Sequence, residues 1–208
     1  MIVVKVGGSL FDSPALGPAL RAFVESLAPA DVLLVGGGGP VADAVRELDR
    51  VHGLGEEAAH WLALRSLGVT RALLRALIAE EPNPPTPFPK REGGAGVTPP
   101  SLLGKGVGGL GSSLHILDPF TFAQEDETRP GALPHTWAVT TDSIAARVAL
   151  VYRAERLILL KSVDVPPGTP WEAAAASGWV DAHFPQIAPL LPCPVEVVNF
   201  RRALHPRA

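Results

Sequence analysis

Two short apolar runs that stop on glycines limit what this chain can fold into. Residues 2–9 read IVVKVGGS and residues 31–40 read DVLLVGGGGP. Continuously apolar runs suit strands buried on both faces, as in the centre of a parallel sheet. The glycines that follow let a backbone or a phosphate come close where a side chain would stand in the way. Each turn leads toward a helical pattern, whose free N–H groups and dipole favour an anion. Lys5 lies on the first strand, two residues before its glycines. Two glycine turns with a strand lysine point to phosphoryl transfer more than to simple phosphate binding.

The chain has 208 residues, enough for one α/β domain with a substantial core. Its formal net charge is -3 and no Lys/Arg cluster is present, which argues against a nucleic-acid partner. Cys193 is the single cysteine, so no internal disulfide can form. With no recognisable signal peptide, the expected compartment is the cytoplasm. The apolar start MIVVKV is too short to span a membrane, and no membrane association is expected.

Periodicity predicts strands at 2–6, 31–35, 114–117, 156–161 and 194–199. Helices are predicted at 14–27, 40–50, 55–80, 142–153 and 171–177, with Gly68 as a break in the third. Strands alternating with helices imply an α/β fold, a mostly parallel sheet covered on both faces.

Segment 82–113 departs from this pattern. PPTPFPKREGGAG at 84–96 aligns with PPSLLGKGVGGLG at 99–111, and about half of the segment is Pro or Gly. Such a composition builds neither a helix nor a central strand. It reads as a flexible insertion in a single domain spanning 1–208, with a lid over the active site as the other reading. Within it, residues 106–111 fit G-x-G-x-x-G, but they follow a Pro-rich loop rather than a strand, so the dinucleotide reading fails its context. Lys105 belongs to no P-loop, because the earlier glycines are misplaced and Gly106 stands where a Ser or Thr would hold magnesium.

A third constellation is WAVTTDSIAARVAL at 137–150. Asp142 can be an ordinary helix cap. Beside two glycine turns and a strand lysine, it can instead hold a catalytic ammonium group in place. His52, Glu56 and His60 share one face if the helix there is continuous. They read as acceptor contacts, as a metal trio or as a solvated face. Gly53, Gly55 and the lack of a further ligand cluster argue against the metal.

Taken in order, VKVGGS at 4–9, LLVGGGGPVAD at 33–43, TTDSIAA at 140–146 and LILLKSVD at 157–164 resemble the amino acid kinase superfamily. Its members include aspartate, acetylglutamate, uridylate and carbamate kinases. HGLGEEAAHWLAL at 52–64 and WAVTTDSIAA look closest to a small branch. That branch holds the archaeal aminomethylfuranmethyl phosphate kinase and bacterial relatives in tetrahydromethanopterin-linked one-carbon metabolism.

The resemblance implies a three-layer αβα sandwich with eight or so strands, the acceptor in the N-terminal half and ATP in the C-terminal half. It implies an ATP-dependent kinase acting on a small molecule, with Mg2+ on the ATP phosphates. Homo-oligomers are common among such relatives. By motif, Lys5 would neutralise the transferring phosphoryl group and Asp142 would orient Lys5. Gly7, Gly8, Gly37 and Gly38 would cradle phosphate oxygens through their amides, with the Ser9 hydroxyl beside them. Lys161 and Asp164 would lie on the nucleotide side. Gly36, Gly39, His52, His60, Thr140 and Thr141 would face the acceptor.

Some positions depart from the family pattern. The usual aspartate-glycine turn is replaced by Asp164-Val165-Pro166. The segment SGWVDAHF at 177–184 offers Trp179, Asp181 and His183 where relatives carry a second catalytic lysine, so Lys161 is the candidate substitute. The end VVNFRRALHPRA lacks the glycine-threonine close of relatives. A non-catalytic protein that keeps the fold and the anion cradle is therefore the alternative reading.

Overall fold

The computed structural model describes residues 1–79 and 113–204. The insertion read at 82–113 lies outside them except for Ser113, as does His205. Five strands form one parallel sheet: β1 (Ile2–Val6), β2 (Val32–Gly36), β3 (Leu114–Ile116), β4 (Arg156–Lys161) and β5 (Val195–Asn199). Their spatial order is β3-β2-β1-β4-β5. The resemblance implied eight or so strands, and the described residues contain five.

The helices are α1 (Leu16–Ser26), α2 (Gly39–His52), α3 (Glu56–Ile78), α4 (Pro119–Asp126), α5 (Thr141–Val151), α6 (Trp171–Ala176), α7 (Phe184–Ile187) and α8 (Arg201–Leu204). Residues 8–12 form a 3-10 turn. All five expected strands form, and each of the five expected helices forms to within about two residues, the usual looseness of helix ends. Helix α3 runs unbroken through Gly68, whose surroundings are open, so the expected break is absent. Helix α4 was not anticipated. Its signals are local: the Asp118 carboxylate accepts from Phe120 and Thr121 N–H, and Pro119 takes the first helical position.

Alternation along the central strands splits the core into two layers. Val3, Leu33, Val35, Leu157 and Leu159 face α5 and its neighbours, while Ile2, Val4, Val6, Leu34, Ile158 and Leu160 face α1 and the end of α3. Lys5 is in phase with Val3, and Lys161 is in phase with Leu159. Both lysines therefore stand on the α5 side of the sheet, at the carboxyl ends of their strands. Helix α5 is tied to α4 by a buried ion pair, Arg147 Nε to Asp126 Oδ2 at 2.6 Å.

From β1 the chain steps outward to β2 and β3, then returns to place β4 on the other side of β1. The sheet thus changes direction between β1 and β4. Open α/β sheets bind ligands at such a point, outside the carboxyl ends of the strands.

Candidate active site

The register places Lys5 opposite Leu159, so Lys161 lies two residues further along the neighbouring strand on the same face. Between the two amines stands Asp142, at the start of α5. Lys5 Nζ is 2.8 Å from its Oδ1, and Lys161 Nζ donates to its Oδ2 at 2.6 Å. The three side chains are only 6%, 11% and 6% exposed for Lys5, Lys161 and Asp142. Asp142 does not cap its own helix, because both oxygens face lysines. The cap position belongs to Thr140.

Burial pushes the Asp142 carboxyl toward its neutral form, but the ammonium groups of Lys5 and Lys161 outweigh this and hold its pKa below the ordinary value. Lys161 is lowered to about 8, first by burial and then by the charge of Lys5, against the pull of Asp142. One carboxylate between two ammonium groups leaves one positive charge uncompensated in a buried place. Such a charge is costly unless an anion comes to it.

That gives a pH signature. Lys161 carries its proton below about 8 and sheds it above, so attraction for an anion weakens as pH rises through that value. Affinity for sulfate, whose own charge is constant there, is expected to fall over this range in a calorimetric titration. Lys161→Arg, which keeps its charge, should flatten the profile. An unchanged profile in that variant would remove Lys161 from the site.

The two glycine turns pack directly on each other. A Cβ at Gly37 would stand 2.4 Å from Gly8 N, and one at Gly8 would stand 2.3 Å from Gly39 N. The first reason for these glycines is thus the approach of one backbone to another, which corrects the reading of both turns as open phosphate paths. Two amides are already committed as well: Gly7 N donates to Leu160 O and Gly37 N to Val6 O, each at 2.8 Å. Neither can cradle a phosphate as expected. Gly8 and Ser9 open the 3-10 turn and Gly39 opens α2, so their N–H groups have no acceptor within those elements. The Ser9 hydroxyl donates to Ser162 Oγ at 2.9 Å, joining the turns that follow β1 and β4.

Beside these turns a cleft of ≈ 190 Å³ opens between α2, α3 and α5. Gly8, Gly38 and Gly39 line one part of it, and His60, Thr140 and Thr141 another. Gly36 is buried in β2 against Leu74 and Thr70 and does not line the cleft. His52 ends α2 and is exposed, since Gly53 adopts φ 60° and Gly55 precedes α3. The break separates His52 from His60 and cancels the continuous face expected for the 52–60 trio. Asp164 is exposed and pairs with Arg202 at 2.8 Å rather than with either lysine of the cluster. The turn after it closes through Thr169, whose N–H and hydroxyl both reach Pro166 O.

Asp181, which stands where relatives carry a lysine, has a role that its sequence setting does not announce. Its carboxylate accepts from Thr140 N, Thr140 Oγ1 and Ser143 N, each at 2.9 Å, and from Ser143 Oγ at 2.5 Å. Phe184 N adds a further bond at 2.9 Å. Asp181 is therefore the group that satisfies the start of α5 and so fixes where Asp142 points. Asp181→Ala should cost about 3 kcal/mol in urea unfolding, since it strands several buried donors. A loss under about 1 kcal/mol would contradict this role. Also missed were Ser162, Arg46 and His135. His135 Nδ1 and Nε2 lie 2.7 Å and 2.9 Å from Glu57 and Glu127, and its ring stacks on His60 at 5.0 Å. No local signal in the sequence connects 57, 127 and 135.

A parallel α/β sheet with a buried cationic cluster at its point of reversal defines a class of anion-handling proteins. Residues 1–165 match the sequence profile of the Amino acid kinase family, and the chain belongs to that family. Among solved structures, it resembles the uridylate kinase of Archaeoglobus fulgidus, with a TM-score of 0.56 and 18% identity. That match covers 100% of this chain and 97% of the archaeal one, and the likeness is one of fold. The N-acetylglutamate synthase of Neisseria gonorrhoeae, solved with coenzyme A and L-arginine, matches with a TM-score of 0.42 and 17% identity, over 89% of this chain and 51% of that one. No curated protein matches the chain.

Proposed function

We propose that the protein is an ATP-dependent kinase that phosphorylates a small molecule. The observation that carries this reading is the buried Lys5–Asp142–Lys161 cluster at the carboxyl ends of β1 and β4. Its surplus positive charge suits a transferring phosphoryl group. Lys5 and Lys161 would neutralise the charge on that group while Asp142 holds both amines in place. The amides of Gly8, Ser9 and Gly39 would receive phosphate oxygens. No covalent enzyme intermediate is needed, and rate enhancement comes from positioning and fixed charge.

The acceptor would occupy the cleft beside Gly8 and Gly39, and ATP the C-terminal half. An open groove of ≈ 630 Å³ there, between the 165–171 loop and β5, has Trp171 and Glu196 in its lining and would take the base. Both Asp142 oxygens are engaged by lysines, so Mg2+ would arrive on the ATP phosphates. It would supply further charge neutralisation.

The motif resemblance makes one-carbon cofactor precursors the first acceptors to try. The test is ADP release from Mg-ATP with and without each member of a metabolite panel. Release that rises with one acceptor supports the reading. A protein that binds phosphate but shows no acceptor-dependent release across the panel would be a non-catalytic binder, with the altered Asp164-Val165-Pro166 turn as the reason.

A further inference from the structure

The character of the acceptor can be narrowed from the charges around the cleft, on the reading that the acceptor sits there. The body of the cleft is apolar, with Leu64, Leu67, Val139 and Ile144 in its walls. Among the described residues its only formally charged lining residue is Arg46, two helical turns beyond Gly39 on α2. The Arg46 guanidinium lies over the Trp137 ring, 5.0 Å from its centroid. Trp137 is itself pinned to α2 by a bond from its Nε1 to Asp49 Oδ2 at 2.8 Å. The cation therefore stands on a fixed aromatic platform.

Among the described residues no carboxylate lines the cleft, and the acidic groups nearby are engaged elsewhere. Asp49 holds Trp137, Asp126 holds Arg147, and Glu57 and Glu127 hold His135 on the far side of the His60 ring. Asp43 pairs with Arg46 at 2.7 Å, but both side chains are well exposed and three residues apart on one helix, an arrangement that binds weakly. A ligand oxyanion can displace it. His60 is held toward its neutral form, first by burial and then by the charge of His135, so it adds no charge to the wall. An ammonium group in this cleft would meet the Arg46 cation and, among the described residues, no lining carboxylate.

We propose that the acceptor carries a second oxyanion remote from the group that is phosphorylated, and that Arg46 is the specificity-determining residue that receives it. The planar fork of arginine suits a carboxylate or phosphate. The apolar middle of the acceptor would lie against the Leu64, Leu67 and Val139 wall. An acceptor with a free amine at that end is disfavoured.

Three probes that differ only at the remote end test this: phenyl phosphate, 4-carboxyphenyl phosphate and 4-(aminomethyl)phenyl phosphate. Each is titrated into the full chain and followed by calorimetry. The carboxylate probe should bind on the order of tenfold more tightly than the amine probe. Arg46→Gln should erase that preference and Arg46→Lys should retain part of it, while Arg50→Gln, an exposed cation on the same helix outside the cleft, should leave it intact. Melting temperatures check that each variant is folded. Equal or tighter binding of the amine probe, a preference that survives Arg46→Gln, or no saturable binding of any probe at millimolar concentration would overturn the proposal. Because no turnover is needed, this outcome is independent of the kinase test. A preference without ADP release from any acceptor would sink the kinase reading and keep Arg46 as the receiver of a ligand oxyanion, and ADP release with an amine-ended acceptor alone would do the reverse.

Discussion

Lys5→Met should give a folded protein whose turnover is lower by on the order of 100-fold or more, the scale of losing one preorganised electrostatic donor. Methionine keeps most of the buried volume of the lysine stem, so the sheet stays filled. Asp142 keeps Lys161 at 2.6 Å, so no unpaired carboxylate is left behind. What disappears is the surplus charge: the cluster falls from one net positive charge to none. A second readout is built in. Lys5 is one of the causes that lower Lys161, so its loss should raise the pH at which sulfate affinity declines. A folded variant with near-normal turnover would remove Lys5 from the chemistry, whatever its distance from Asp142.

Asp142→Asn should damage both stability and rate. If Asp142 were only a helix cap, asparagine would replace it at almost no cost. Here its two oxygens meet two ammonium groups, and asparagine would leave both without a counter-charge. Breaking a buried pair by removing one partner costs about 3–5 kcal/mol. The loss also depends on pH in a definite direction. Without Asp142 the folded-state pKa of Lys161 drops further below its unfolded value, because the carboxylate was raising it. The unfolded chain then binds more protons than the folded one, so the variant gains stability as pH rises through and above about 8. Urea unfolding at several pH values, with turnover measured on the same samples, decides the matter. Full stability with lost turnover would mean that the lysines find another partner. Full turnover would mean that Asp142 does not organise them.

Much of the fold was legible because it rests on local patterns. The runs at β1, β2 and β4 are continuously apolar, and the helices between them have recognisable faces. Lys5 and Asp142 were legible for a different reason: each sits in an unusual local setting, a lysine inside an apolar strand and an aspartate after two threonines. What escaped was set by distance in the chain. Asp181 meets Thr140 and Ser143 across about forty residues, and His135 joins Glu57 across seventy-eight, with nothing local to mark either pair. The glycine turns were misread in a similar way. Their sequence announces that something must approach closely, but not that each turn's nearest neighbour is the other. The three-residue face of His52, Glu56 and His60 failed because a helical period was carried across Gly53 and Gly55, which are better read as punctuation.

The strand order also has a consequence for the birth of the protein. Strand β1 is made first yet ends in the middle of the sheet, with one of its edges reserved for β4. Until residues 156–161 leave the ribosome, that edge presents unpaired N–H and C=O groups on an apolar ribbon, the kind of surface that seeds aggregation. Lys5 must also wait beside it, facing a place that α5 and its aspartate have not yet filled. The cluster therefore comes into being only when the two halves of the sheet join, so anion affinity would report that β1 and β4 have paired.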